Sequence, residues 1–108
     1  MTAYVANHLK RKGILEKEEQ ELEHAIRHEF PMTKLVKAAN KVRAAKLNVY
    51  KSEYARKTSR APSSYVPDEK AKRWENYLAE EIIEIYREKL RQEKQESPIS
   101  GENDDSEI

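Results

Sequence analysis

The stretch TKLVKAANKVRAAKLNVYKSEYARKTSR, residues 33–60, restricts the fold more than any other. At ~100° per residue, Leu35, Ala38, Val42, Ala45 and Val49 fall along one edge of an apolar arc, and Val36, Ala39, Leu47, Tyr50 and Tyr54 along the other. The arc covers about 200°, enough to meet two partner helices. Its first edge is mostly Ala and Val, which lets a neighbour approach closely. Lys34, Lys37, Lys41, Asn48 and Lys51 lie on the opposite side. The pattern fails after Tyr54, because Arg56, Lys57 and Arg60 would point into the arc. The packed part is therefore expected to end near Tyr54, with the last turns projecting or fraying.

The flanking segments supply the partners. A short helix is expected over 2–12, with Thr2 as N-cap and Gly13 as its stop behind the basic run Lys10–Lys12. A second helix is expected over 15–29, where Leu15, Leu22, Ile26 and Phe30 share a face and Pro31 ends the run. The third covers 33–58, with Thr33 as a candidate N-cap. Residues 59–67 read as a loop from which Tyr65 and Val66 dock back. The fourth covers 68–95, opened by Pro67, Asp68 and Glu69. Its apolar arc, from Trp74 through Ile82 and Tyr86 to Leu90 and Ile83, is also wide. Together these predict an all-α fold, a small three- to four-helix bundle over 1–96, in which the third and fourth helices form the central pair. Residues 97–108, SPISGENDDSEI, read as a disordered acidic C-terminal tail.

Composition agrees with long helices and narrows the functional classes. Charged residues make up 38% and hydrophobic ones 37%, with 2 Gly. That is too charged for a large core, too apolar for full disorder and too poor in glycine for a turn-rich β fold. The chain has no Cys, which removes disulfides and thiolate chemistry. No run reaches the ~20 apolar residues of a membrane span, and the N-terminus lacks a signal-peptide core. The expectation is an intracellular protein, in the cytoplasm or with the nucleoid or nucleus, that does not contact membrane.

A formal net charge of +1 conceals an uneven distribution. Residues 33–60 hold nine Lys and Arg against the single acid Glu53, while the segments on either side are acidic. Lys34, Lys37, Lys41, Lys51, Arg56, Lys57 and Arg60 are the candidate contacts to DNA or RNA phosphates, and Tyr65 is a candidate stacking face. Base-specific contact would need a side chain such as Asn48 or Arg43 in a groove. The competing explanation is a solvated helix face balanced by acidic neighbours, the tail included. A helix-turn-helix over 15–50 is disfavoured by the length of its second helix and the breadth of its apolar arc.

Other constellations are weaker. Glu21, His24 and His28 form E-x-x-H-x-x-x-H on one helix face, but that face is opposite Leu22 and Ile26 and lacks a fourth ligand, so no metal is assigned. Arg56-Lys57-Thr58-Ser59 is an R-x-x-S phosphorylation pattern, and Ser106-Glu107-Ile108 fits a C-terminal ligand of strand-addition domains. No arrangement of Ser and His suggests a nucleophile, and nothing raises a Glu pKa, so neither enzyme activity nor a cofactor is expected. The reading is a small binding protein, a nucleic-acid-associated regulator working through residues 33–60. The alternative is a protein–protein adaptor or inhibitor, homodimeric in one version, using an apolar face of the 68–90 helix.

Overall fold

The computed structural model describes residues 2–96, so the expectations for the acidic segment 97–108 and for Ser106–Ile108 lie outside the described residues. The described elements are all helical: α1 (Ala3–Arg27), α2 (Met32–Thr58), a 3-10 turn (Pro62–Ser64), α3 (Glu69–Asn76) and α4 (Ala79–Glu96). The fold is an all-α bundle, as expected. No described helix is long and apolar enough to cross a membrane.

α1 corrects the first expectation, because it runs through Gly13 without a break. Thr2 does cap it, its Oγ1 accepting from the Val5 N–H at 3.2 Å. Gly13, however, keeps a negative φ, so it makes no left-handed stop. A glycine inside a helix costs ~1 kcal/mol. Burial of His8 on one side of it and of Leu22 and Ala25 on the other outweighs that cost. The real stop is at His28. Glu29 takes φ 52, Phe30 N–H bonds to Ala25 C=O and Glu29 N–H to Ile26 C=O, which is a Schellman closure with glutamate in the usual glycine position. Thr33 is not the N-cap of α2. Pro31 holds that place and α2 starts without a side-chain cap.

α1 and α2 form an antiparallel hairpin, with His8 meeting Ser52 across 44 residues of sequence. Its seam recurs every seven residues: His8, Leu15 and Leu22 on α1, and Leu35, Val42 and Val49 beside Ala38, Ala45 and Ser52 on α2. A seven-residue repeat drifts ~20° per repeat on a 3.6-residue helix. Part of the arc's apparent breadth is this drift, which carries burial on to Ala55, past the expected limit at Tyr54. The rest of the arc, including Val36, Leu47 and Tyr50, joins the cluster of Trp74, Ile82, Ile83 and Tyr86. The expected central pair is thus wrong. α2 is the central helix, and α1, doubled in length by its passage through Gly13, is its main partner.

The helix expected over 68–95 is broken at Tyr77 and Leu78. Asp68 caps its first part, accepting from the Ala71 N–H at 2.9 Å. Tyr77 then turns extended (φ −62, ψ 137), and its C=O accepts from the Arg43 guanidinium of α2. The Leu78 N–H donates to Glu81 Oε1 at 2.7 Å, a carboxylate reaching back to the start of its own helix. The break turns Ala71 and Trp74 of α3 and Ile82, Ile83 and Tyr86 of α4 onto one core. Of the two loop residues expected to dock, Tyr65 does, its ring edge-on to Tyr54 at 5.5 Å, whereas Val66 is 78% exposed.

Candidate nucleic-acid interface

The basic block is divided by the fold. Arg43 and Lys46 turn inward. Arg43 donates to Tyr77 C=O and, at 3.1 Å, to Asn40 Oδ1, which removes it from any base-reading role. The Lys46 ammonium lies 4.8 Å over the Trp74 ring, and burial, the largest influence on it, lowers its pKa. Asn48 stays exposed.

Arg56 and Lys57 are engaged by Glu53, at 2.7 Å and 3.9 Å. The hydrogen bond from Arg56 is the main reason the Glu53 carboxyl sits below its ordinary pKa, with the charges of Arg56, His8 and Lys57 adding to it. Two of the candidate phosphate contacts therefore already share a carboxylate. Arg60 is exposed beyond Ser59, the left-handed cap of α2 and the serine of the R-x-x-S pattern. Lys51 is exposed in the last third of α2.

Lys34, Lys37 and Lys41 do converge. They form one wall of an open groove of about 640 Å³ near the α1–α2 turn. The facing wall comes from α1: Lys17, Gln20, Glu21 and His24. Ala25 and Ala38 line it between the two walls, and Phe30 lines its turn end. Among the described residues, Lys17, Lys34, Lys37 and Lys41 make no ion pair. Glu21 is the only acid lining the groove, against four lysines, so the groove is net positive. The turn end is aromatic. His24 meets Phe30 edge-on at 5.7 Å and stacks at a tilt on His28 at 4.2 Å, and the Lys34 ammonium lies 5.5 Å from the Phe30 centroid.

Lys17 and Phe30 were not among the sequence candidates. Lys17 stands in an acidic segment, and only the antiparallel register of the hairpin brings it opposite the α2 lysines. The seven-residue recurrence of His8, Leu15 and Leu22 is the signal that would have given that register. The helical period puts Phe30 on the core face of α1, but the Schellman turn swings it out. Glu21, His24 and His28 share the rim of this groove or its edge, and among the described residues no group of three such side chains is placed to hold a metal ion.

A second polar cluster was also missed. His8 Nδ1 is 3.0 Å from Ser52 Oγ, and His8 Nε2 is 3.1 Å from Glu53 Oε1. The residue types are those of a nucleophile, a base and an acid. The geometry is that of a clip between α1 and α2: Ser52 is buried and its hydroxyl donates to Val49 C=O at 2.9 Å.

No family model, curated protein or solved structure matches the chain.

Proposed function

We propose that the protein is a small non-enzymatic regulator that associates with nucleic acid through phosphate contacts on the α1–α2 face. The supporting observation is the meeting of Lys17, Lys34, Lys37 and Lys41 from two helices on one groove, with no acid partner among the described residues. Ammonium groups held this way have their unmet attraction pointed at solvent, and a polyanion that enters releases condensed counterions. Lys51 and Arg60 extend the basic surface along α2, and Arg56 and Lys57 act there in competition with Glu53.

The test is fluorescence anisotropy with a labelled oligonucleotide at several salt concentrations. Four neutralised phosphates give a log–log salt slope of about −3 to −4, an affinity loss of about a hundredfold between 50 and 200 mM salt. Lys37→Glu with Lys41→Glu is expected to weaken binding at least tenfold at low salt. If those changes together with Arg56→Glu left binding intact, the reading would be abandoned.

A second reading, a protein-binding adaptor, draws on α4. Most of its apolar face is spent on the core, but Ile85 is 39% and Leu78, just before the helix, 64% exposed, and Ile85 lies in an open groove with Glu81, Glu84 and Glu88. Arg91 lines the same groove and pairs with Glu84 and Glu88, so the surface suits a partner with an apolar anchor more than one with a basic rim. Light scattering checks the homodimeric version: a mass that stays monomeric at high protein concentration removes it.

A further inference from the structure

We propose that the α1–α2 groove takes a single strand, with one base stacked on Phe30 and the adjoining phosphates held by Lys17, Lys34, Lys37 and Lys41. This rests on the nucleic-acid reading above and specifies the strandedness of the ligand and the residue that sets it.

The first argument is shape. Packed helices have axes about 8–10 Å apart, so the cleft between their side-chain walls is narrow. Duplex DNA is ordinarily read the other way round, by a helix that protrudes into a groove about 12 Å wide. The α2 lysines do not protrude alone, because Lys17, Gln20 and Glu21 of α1 stand opposite them as a second wall. A duplex can touch the rim of such a cleft but cannot enter it. A single strand can, and Ala25 and Ala38 leave room for it between the walls.

The second argument is the order of groups along the groove. Lys34, Lys37 and Lys41 stand on successive turns of α2, about 5 Å apart along the axis, which matches a chain of phosphates followed lengthwise. Phe30 closes one end and is partly exposed. The Lys34 ammonium rests over its ring. A base that replaced the ammonium on that ring would leave it beside the phosphate of the same nucleotide. One movement thus makes a stacking contact and an ionic one. Bases of any identity have a stacking face, so this arrangement selects unpaired strands without selecting sequence.

The experiment compares four labelled probes on the full chain: a 12-nucleotide single-stranded DNA, the same RNA, the blunt duplex and a 12-residue poly-glutamate peptide. Each is titrated at 50 and 200 mM salt. The single strands are expected to bind at least tenfold more tightly than the duplex. Phe30→Leu keeps the apolar bulk but removes the π face. It is expected to cost about tenfold for the single strands while leaving the salt slope and duplex binding unchanged. Phe30→Trp is expected to retain affinity and to show quenched emission on binding. Equal or tighter binding of the duplex, or indifference to Phe30→Leu with unchanged helicity, overturns the single-strand inference and leaves the nucleic-acid reading standing. Failure of every nucleic acid to bind, or a preference for poly-glutamate, overturns both.

Discussion

Tyr86 and Tyr50 carry the same hydroxyl into different surroundings, and their phenylalanine variants are expected to differ in sign. The Tyr86 hydroxyl donates to the Glu19 carboxylate. The Tyr50 hydroxyl is buried with no partner among the described residues. Tyr86→Phe is expected to lower stability by about 1–2 kcal/mol in urea unfolding, whereas Tyr50→Phe is expected to be neutral or stabilising by up to about 1 kcal/mol. Tyr86 also sets an alkaline limit. Burial, helped by the bond to Glu19, pushes its pKa well above the ordinary 10.0. A group whose folded pKa is raised contributes stability that is whole below the unfolded value and is lost as pH rises toward the folded one. Stability should therefore decline above about pH 10, and Tyr86→Phe should flatten that decline. Gly13 and Glu29 make a second residue-scale pair. A Cβ on Gly13 would meet nothing within 4 Å. Gly13→Ala is expected to stabilise α1 by about 0.5–1 kcal/mol. Glu29, by contrast, holds φ 52 where glycine is at ease, and Glu29→Gly is expected to gain about 1 kcal/mol. Thermal melts of both variants check the pair: a lowered midpoint for Gly13→Ala would show that the helix does not run through that position.

At the scale of elements, the junction between α3 and α4 depends on a residue far away in sequence. No proline or glycine marks Tyr77 and Leu78. The break is held by Arg43 of α2, which donates to the carbonyl that ends α3, and by Glu81, which accepts the first free N–H of α4. The Arg43 bond is charge-assisted and partly buried. Arg43→Met is expected to cost about 2–3 kcal/mol, while Glu81→Gln should cost no more than about 1 kcal/mol. Hydrogen exchange at Tyr77–Ile82 provides the check. If Arg43→Met left exchange there unchanged, the junction would be set by local sequence after all. The same bond explains why a residue placed among candidate base readers has a structural task. Hydrophobic periodicity marked each helix but could not distinguish a lysine facing solvent from an arginine reaching a neighbouring helix end, because both lie off the apolar face.

For the whole molecule, the charge asymmetry of the chain becomes a spatial one. The lysine groove lies on one side of the hairpin, while the outer groove of α4 holds Glu81, Glu84 and Glu88, the last two paired with Arg91. Phe30, at the turn end of the lysine groove, also lines a notch with Leu90, Arg91 and Lys94 of α4, and Arg91 is shared with the α4 groove. Residues 97–108 follow α4 and contribute Glu102, Asp104, Asp105 and Glu107. Ending the chain after Glu96 removes these acids. It is expected to raise oligonucleotide affinity severalfold at about 20 mM salt. The gain should vanish near 0.5 M, where screening acts over a few ångströms. Equal affinities at the lower salt would place those charges beyond electrostatic reach of the groove.

Sequence alone determined that this chain is a helical bundle, where α2 runs, that Thr2 and Asp68 begin helices, and that the 33–60 segment is its positive centre. These depend on local facts: periodicity, capping chemistry and charge, each readable within a turn or two. Tertiary structure decided the rest. It carried α1 through Gly13, since burial along a partner helix exceeded one glycine's helix penalty. It broke the last long helix at Tyr77, since Arg43 satisfied the carbonyl left open there. It sorted the positive charges, drawing Arg43 and Lys46 into the fold, tying Arg56 and Lys57 to Glu53, and leaving Lys34, Lys37 and Lys41 to face Lys17 across a groove. Those outcomes depend on which helix lies beside which and in what register. Such long-range pairing appears nowhere in a helix's own period, and it is what turned one basic stretch into a single candidate site.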